Sequence, residues 1–290
     1  MKRHFLITIA FALSAITASA QWPQSRIVTD TIHSDMLGAD RPYTVYLPVG
    51  FDADSARTYP VLYLLHGMYG NNTSWEKDMR LRDVADQMIY SDEIDPMVIV
   101  TPHAGGADPM VEQNGYFNMK DWPYEDFFFE EFMPYIENTY RCGGSKNYRA
   151  VAGLSMGGGG ATSYAQRHPQ TFGSAYAMSA LMDIPEERAV PSQTADDKVA
   201  RLTRSVKDLS CVRYVAEADE ARRDALRSVR WFVDCGDDDF LLDRNIELVQ
   251  AMHKANIPVQ FRVRDGGHTV EYWHTALFTC LPFVSRNFAR

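Results

Sequence analysis

The sequence is poor in cysteine and in positive charge, and it lacks the motifs that indicate a cofactor. Its 290 residues include four cysteines without a Cys-x-x-Cys pair, and 29 Lys and Arg stand against 38 Asp and Glu. This acidic balance disfavours nucleic acid as a partner, because phosphate backbones are bound by clusters of positive charge. Neither a His-Glu-x-x-His motif nor a phosphate loop occurs, so we expect no metal and no organic cofactor.

The first twenty residues have the pattern of a targeting segment. Lys2-Arg3 gives a positive start, an apolar stretch covers Phe5 to Ile16, and small residues at 18–20 offer a cleavage site. A membrane anchor is the competing interpretation, but the stretch is shorter than the roughly 20 apolar residues that span a bilayer. We therefore predict a signal peptide over 1–20, a mature protein that begins at Gln21, and export from the cytoplasm without a stable membrane anchor.

The rest of the chain suits one large domain. The roughly 270 residues after the signal peptide are enough for a full core, since 46% of the chain is apolar. We predict a single domain over 21–290. Its cysteines (Cys142, Cys211, Cys235 and Cys280) would permit three pairings if all formed disulfides after export, although Cys235 lies in an apolar strand-like run and is better interpreted as a buried free thiol.

Strand-like and helix-like segments alternate along the chain. Tyr43–Leu47 alternates apolar and polar residues as a half-buried edge strand does. Further strands are predicted at 60–65, 97–101, 175–179, 230–235 and 258–263, and helices at 81–88, 124–139, 156–168, 242–256 and 269–288. This order predicts an α/β fold with a mostly parallel, doubly wound sheet, helices on both faces and ligands at the carboxyl ends of the strands.

One segment departs from this alternation. Residues 183–228 are rich in charge and in helix formers, and they separate the strand at 175–179 from the strand at 230–235. Such a segment fits either a small helical cap above the sheet or an ordinary connecting helix with a solvated charged face. Both interpretations stay open at this stage.

Residues Gly153-Leu154-Ser155-Met156-Gly157 match the G-x-S-x-G nucleophile elbow. In that turn a serine sits at a strained strand-to-helix corner, and small residues two positions on either side avoid clashes and leave its hydroxyl exposed. The five-residue pattern alone is weak evidence, because glycine and serine are common. Its context, an apolar run before it and a helix-like segment after it, makes Ser155 the candidate nucleophile.

A serine nucleophile needs a base to remove its proton and an acid to orient that base. In doubly wound hydrolases the partners follow in the order serine, acid, histidine, each in a loop after a strand. His268 follows the strand at 258–263 in a glycine-rich turn, whereas its rival His274 falls within a predicted helix. We therefore predict His268 as the base.

The acid is harder to choose. Asp237, Asp238 and Asp239 follow the strand at 230–235, and Asp234 lies on the strand itself. Three adjacent carboxylates repel one another unless one turns inward to a histidine. The residues alone do not decide which of them does so.

A second loop has the composition of an oxyanion-binding turn. His66-Gly67-Met68-Tyr69-Gly70 follows the strand at 60–65. Acyl transfer develops an oxyanion that two backbone N–H groups must meet, one from the residue after the nucleophile and one from an early strand-to-helix loop. Met156 and Met68 are the candidates, although the glycines also fit a tight turn that merely ends a strand.

Several segments together resemble the Putative esterase family, which includes esterase D, feruloyl and acetyl xylan esterases, and mycolyltransferases. These segments are Leu64-Leu65-His66-Gly67, Trp75, Tyr124-Glu125-Asp126-Phe127 to Tyr140-Arg141, Gly153 to Gly158, Asp234-Cys235-Gly236 with Asp239-Phe240-Leu241, and Gly267-His268 with Tyr272-Trp273. The likeness covers about residue 40 to residue 285.

The resemblance implies an α/β-hydrolase fold with Ser155, Asp239 and His268 as a catalytic triad and the N–H groups of Met68 and Met156 as oxyanion donors. The family's acid commonly stands three residues beyond the glycine of the Cys-Gly pair and just before an apolar pair. Asp239 occupies that place, so the resemblance selects it among the aspartates.

The chain departs from the family pattern at two places. Its run of four glycines, 157–160, is longer than usual. Glycine within a helix costs about 1 kcal/mol relative to alanine, so close packing is expected there. Asp237-Asp238 also makes the acid loop more negative than usual.

These features predict a serine carboxylic-ester hydrolase that forms an acyl-enzyme. Export and the resemblance favour feruloyl, acetyl or other short acyl groups esterified to carbohydrate, whether the substrate is a small molecule or a polysaccharide. Tyr69, Trp75 and Trp122 are candidate substrate-binding residues, because aromatic rings suit aryl-acyl groups and sugar faces. The alternatives are an acyltransferase with the same triad and a non-catalytic carbohydrate-binding relative.

Overall fold

An eight-stranded sheet organises the residues that this computed structural model describes, namely 25–105, 115–184 and 198–289. The strands of the described residues are β1 (Arg26–Ser34), β2 (Ala39–Leu47), β3 (Val61–Leu65), β4 (Val98–Pro102), β5 (Asn118–Met119), β6 (Trp122–Pro123), β7 (Arg149–Leu154), β8 (Ser174–Met178), β9 (Arg230–Gly236) and β10 (Val259–Arg264). Strands β5 and β6 pair with each other, and the other eight form the sheet. The predicted signal peptide lies outside the described residues.

Helices connect these strands. They are α1 (Ser74–Lys77), α2 (Leu81–Tyr90), α3 (Tyr124–Asp126), α4 (Met133–Thr139), α5 (Met156–Arg167), α6 (Lys198–Asp208), α7 (Cys211–Ala216), α8 (Glu220–Arg227), α9 (Leu242–Lys254) and α10 (Val270–Asn287), with a π-helix at Phe127–Phe132 and a 3₁₀ turn at Lys146–Tyr148. The predicted helix at 124–139 is thus interrupted by π-helical turns. Pro134 lies in the first turn of α4, where the missing N–H of proline is tolerated.

The sheet is mostly parallel. Its order is β1-β2-β4-β3-β7-β8-β9-β10, and β2 alone among these strands runs antiparallel to both of its neighbours. This topology, with helices between the parallel strands, is the α/β-hydrolase fold, as predicted.

Two apolar cores lie on opposite faces of the sheet, and strand periodicity assigns residues to them. In β3, Val61, Tyr63 and Leu65 join one core, whereas Leu62 and Leu64 join the other. Successive side chains of a strand point to opposite faces, so a strand covered on both faces must be apolar throughout. This is why the continuous apolar runs predicted the central strands.

The interpretation of Tyr43–Leu47 as a half-buried edge strand is wrong. These residues belong to β2, which β1 covers on its outer side, and all five are buried. The polar positions of the alternation are satisfied internally: Tyr46 donates a hydrogen bond to Asp86 at 2.7 Å, and Thr44 accepts one from Asn72 at 2.9 Å. The alternation therefore reflects buried hydroxyl groups with partners rather than solvent on one face.

The four-glycine run begins α5 and explains the first departure from the family pattern. A Cβ atom added to Gly157 would lie 2.5 Å from the carbonyl oxygens of Leu65 and His66, and one added to Gly159 would lie 2.2 Å from the Leu181 oxygen. At Gly158 and Gly160 it would meet Ala180 and the Tyr116 ring. Each glycine thus permits close approach of a different neighbour.

The described part of the predicted cap consists of α6, α7 and α8. Helix α7 contacts α5, where Gln166 donates a hydrogen bond to the Cys211 carbonyl at 3.0 Å, and it also contacts α9. Residues 185–197 of the segment lie outside the described residues. A cap and an ordinary connecting segment therefore both stay open for residues 183–228.

All four cysteines are buried free thiols. Burial raises the pKa of Cys211 and of Cys235 to about 12, so neither is a thiolate at neutral pH. The interpretation of Cys235 as a buried thiol agrees with this arrangement.

Candidate active site

Ser155 lies at the junction of β7 and α5, in a backbone conformation that is rare for a residue with a side chain. Its φ is 54° and its ψ is −120°, a strained combination that structures retain mainly at functional sites. The turn is held by a hydrogen bond from the Ser155 N–H to the Met178 carbonyl at 2.9 Å. A Cβ atom on Gly153 would lie 2.3 Å from the Gly157 oxygen, so the elbow needs glycine there.

His268 connects the serine to a carboxylate. Its Nε2 lies 3.0 Å from Ser155 Oγ, and its Nδ1 lies 2.9 and 3.1 Å from the two carboxylate oxygens of Asp239. An ionised carboxylate can only accept hydrogen bonds, so Nδ1 carries the proton and Nε2 faces the serine hydroxyl with its lone pair. The geometry is that of a base poised to take the serine proton.

The Asp239 carboxylate is fully buried and stays ionised. Burial acts to raise its pKa, but the hydrogen bonds from His268 and from the Leu241 N–H at 2.9 Å outweigh this, and the pKa of Asp239 is lowered. The other aspartates have different partners: Asp237 accepts a hydrogen bond from the Gly266 N–H at 3.0 Å, and Asp234 accepts bonds from Tyr176 and Tyr272, each at 2.6 Å. The structure therefore brings Asp239 to His268.

The rival histidine has another role in the fold. His274 lies in α10, and its Nδ1 donates a hydrogen bond to the Met79 carbonyl at 2.7 Å. That bond ties α10 to the end of the α1 region, so His274 stabilises packing there.

The two predicted oxyanion donors belong to segments that meet at the elbow. A Cβ atom added to Gly67 would lie 2.7 Å from Leu154 Cδ1 and 3.5 Å from Ser155 Cβ, so the loop with Met68 rests against the nucleophile. Met156 is the first residue of α5, and the N–H of a first helical residue has no partner within its own helix. The role of both amides stays a prediction.

A cavity of about 640 Å³ opens beside Ser155 and His268. Its other lining residues are Gly67, Met68, Tyr69, Gly70, Ser74, Asp78, Met79, Leu154, Leu181, Phe240, Leu241, Val270 and Trp273. No described residue of the predicted cap is among them. Apart from the catalytic candidates, the wall is mainly apolar and aromatic.

The predicted substrate-binding residues divide between cavity and core. Tyr69 lines the cavity and is 77% exposed. Trp75 is fully buried in the core beneath α1, and Trp122 is buried against Tyr124, with ring centroids 5.9 Å apart. Neither tryptophan lines the described cavity. Nearness in sequence to a predicted loop does not tell which way a side chain points, and both rings turn inward to the core.

Two aromatic residues beside the base are not among the three predicted substrate-binding residues. The Phe240 ring centroid lies 4.6 Å from that of His268, and the Trp273 centroid lies 4.9 Å from it. Both line the cavity, and Phe240 is 64% exposed. Phe240 is one residue after Asp239 and Trp273 is five residues after His268, and this nearness in sequence to the triad could have indicated both.

No group of His, Cys, Asp and Glu side chains in the described residues is arranged to hold a metal ion. None of their helices combines the length and apolar character that crossing a bilayer requires.

Comparison with known proteins gives one family and several relatives. The family model described as Putative esterase matches residues 34–284. A solved structure of a ferulic acid esterase is 58% identical, with a TM-score of 0.87, and the match covers 91% of this chain and 99% of that one.

Two curated relatives are more distant. An endo-1,4-beta-xylanase/feruloyl esterase of Xylanibacter ruminicola is 27% identical over 251 residues, which are 85% of this chain and 30% of that protein. An acetyl esterase of Caldicellulosiruptor saccharolyticus is 21% identical over 90% of this chain and 98% of its own length. The chain spans less than a third of the first curated relatives that it matches, with 30%, 12% and 25% of their lengths covered.

Proposed function

Because the chain belongs to the Putative esterase family and is a carboxylic-ester hydrolase, we propose that it removes acyl groups from carbohydrate through a serine acyl-enzyme. The observation that carries this proposal is the position of His268, which lies within hydrogen-bond distance of both Ser155 and Asp239 at the edge of a cavity. A nucleophile, a base and an orienting acid are the groups that ester hydrolysis at neutral pH requires.

In the proposed reaction, Ser155 Oγ attacks the ester carbonyl while its proton passes to His268 Nε2. The imidazolium, stabilised by Asp239, gives that proton to the leaving alcohol. The same histidine then removes a proton from water, which attacks the acyl-enzyme carbonyl. As the bond to Ser155 Oγ breaks, the imidazolium returns that proton to the serine oxygen and the carboxylic acid is released. The N–H groups of Met68 and Met156 stabilise the oxyanion in both steps.

The proposed acyl group is aromatic. Phe240, Trp273 and Tyr69 place rings around the mouth of the cavity, and Met79 and Leu154 add apolar wall. A feruloyl group is flat and largely apolar, so stacking and burial of its ring would favour it over acetyl. The feruloyl activity in the names of two relatives supports this choice.

The last part of the proposal is that the protein is exported. The charged start, apolar stretch and small-residue cleavage site of residues 1–20 support secretion. Acylated polysaccharides occur outside the cytoplasm, so an exported enzyme would meet them there.

A fluorophosphonate probe tests the nucleophile. We expect the native protein to be labelled at one serine, Ser155→Ala to resist labelling, and the exposed-residue control Ser55→Ala to react like wild type, as followed by intact-protein mass spectrometry. Labelling of Ser155→Ala at the wild-type rate would refute the proposed nucleophile. Incubation with added alcohols would show whether acyl transfer competes with hydrolysis.

Removing the cavity's aromatic rings should change acyl selectivity. We expect Phe240→Ala and Trp273→Ala each to lower kcat/KM for methyl ferulate by roughly 10-fold, because ring contact is lost, and to change kcat/KM for an acetyl ester much less. Phe278→Ala is the matched control, since Phe278 is 38% exposed on α10 and does not line the cavity. Equal losses on both esters would contradict a feruloyl-binding role for these rings.

A further inference from the structure

His66 occupies a fully buried position between β3 and the loop that carries Met68. Its imidazole has a partner at each nitrogen. Nδ1 lies 2.7 Å from the carbonyl oxygen of the next residue, Gly67, and Nε2 lies 3.0 Å from the N–H of Ala104. The proposed mechanism gives this histidine no part in proton transfer.

These two partners determine the tautomer of His66. The Ala104 N–H can only donate, so Nε2 must accept with its lone pair. The single ring proton of the neutral imidazole therefore sits on Nδ1 and is donated to the Gly67 oxygen. Burial lowers the pKa of His66 to about 4, so this neutral form persists at neutral pH.

The Gly67 oxygen is therefore held from two directions. It accepts the His66 Nδ1–H, and it also accepts the Gly70 N–H at 3.0 Å. The backbone around His66 is itself anchored, because the Tyr116 hydroxyl donates to the His66 carbonyl at 3.0 Å. The carbonyl of Gly67 cannot rotate without breaking both of its hydrogen bonds.

The orientation of that carbonyl also determines where the next N–H points. The Gly67 C=O and the Met68 N–H belong to one planar trans peptide and point in opposite directions. With the oxygen turned toward the imidazole, the N–H lies in the same peptide plane and points away from the imidazole. Met68 lines the cavity beside Ser155.

We propose that His66 is a positioning residue for the oxyanion hole, which holds the Gly67–Met68 peptide so that the Met68 N–H faces the developing oxyanion. The inference rests on the proposed function, because it concerns a donor for acyl transfer. His66 acts through the peptide and does not contact the substrate.

Two substitutions separate the two hydrogen bonds of the ring. Asparagine can place an amide N–H where Nδ1 lies, and glutamine can place an acceptor oxygen where Nε2 lies. His66→Asn therefore keeps the bond to Gly67, and His66→Gln keeps the bond from Ala104. Both variants leave polar atoms buried and should lose similar stability, so a purely structural role predicts similar behaviour for the pair.

The expected result is a difference in kcat between the variants. We expect His66→Gln to lower kcat for methyl ferulate about 10²-fold with little change in KM, because one oxyanion donor is misaligned. We expect His66→Asn to lower kcat by less than about 10-fold. The affinity for a boronic acid, which forms a tetrahedral adduct with the serine, should fall in parallel with kcat. His253→Gln, on the exposed surface of α9, is the matched control.

Several outcomes would overturn the inference. Equal kcat for the two variants would do so, as would a lower kcat with unchanged boronate affinity. If His66→Gln does not fold, nitrogen-15 NMR of the wild-type imidazole decides, since a proton on Nε2 contradicts the hydrogen-bond scheme. If the wild-type protein neither reacts with fluorophosphonate nor hydrolyses esters, the proposed function itself is contradicted.

Discussion

Replacing His268 with glutamine is expected to lower kcat for ester hydrolysis by about 10⁴-fold or more, the size of effect seen when a triad base is removed. The imidazole lies within hydrogen-bond distance of both Ser155 and Asp239. Glutamine can accept a hydrogen bond from the serine but cannot take up its proton at neutral pH. Steady-state kinetics on methyl ferulate and the rate of fluorophosphonate labelling should fall together.

His274→Gln is the matched control for this experiment. His274 lies six residues further on, but it donates to the Met79 carbonyl rather than facing Ser155. We expect this variant to lose some thermal stability, because the bond between α10 and the Met79 segment is weakened, and to keep kcat within a few-fold of wild type. A larger kcat loss in His274→Gln than in His268→Gln would show that the base is assigned to the wrong residue.

The apolar pattern predicted the architecture well because sheet burial imposes it. Strands covered by helices on both faces must be apolar at every position, as β3 is, and this signal survives without any knowledge of tertiary contacts. The resemblance to the Putative esterase family, drawn from motifs spread over the chain, is confirmed by the match over residues 34–284.

Patterns within single strands were less informative about position in the sheet. β2 reads as an edge strand because it contains Thr44 and two tyrosines, yet β1 pairs with it along its whole length. Thr44 finds its partner in Asn72, just before α1, and Tyr46 finds its partner in Asp86 on α2. Such partners come from tertiary structure, and a local alternation of residue types cannot reveal them.

The directions of side chains likewise limited how well the sequence could predict which residues line the cavity. Tyr69 and Trp75 follow the end of β3 by four and ten residues, but Trp75 belongs to the core and Tyr69 to the cavity. The placement of Phe240 and Trp273 depended on how the loop after β9 and the first turn of α10 converge on His268. The convergence of three distant segments is a property of the fold, so residue types could only suggest which side chains take part.

The choice of the acid also depended on loop geometry rather than on residue type. Three adjacent aspartates carry equal charge and equal propensity, and only the family pattern favoured Asp239. In the structure the Asp239 side chain is fully buried at His268, and the Asp237 carboxylate instead caps the Gly266 N–H. Loop geometry, which a composition argument does not contain, separates them.

Asp239→Asn should lower kcat by about 10⁴-fold, the effect known for a triad whose acid becomes an amide. An asparagine N–H facing Nδ1 favours the opposite imidazole tautomer, so a proton on Nε2 would then point at Ser155 and the base would be lost. Asp237→Asn and Asp238→Asn are matched controls of the same size and charge change, and we expect each to keep kcat within a few-fold of wild type.

The pH dependence of stability checks the same carboxylate independently of catalysis. The pKa of Asp239 is lowered in the fold, so the ionised form stabilises the protein above the ordinary aspartate pKa. This contribution is lost as the pH falls through the lowered value. The urea-unfolding free energy of wild type should therefore fall on acidification with a component that Asp239→Asn lacks and Asp238→Asn retains. If Asp239→Asn kept wild-type kcat while Asp238→Asn lost it, the acid of the triad would be Asp238, and the imidazole would have to turn toward it in solution.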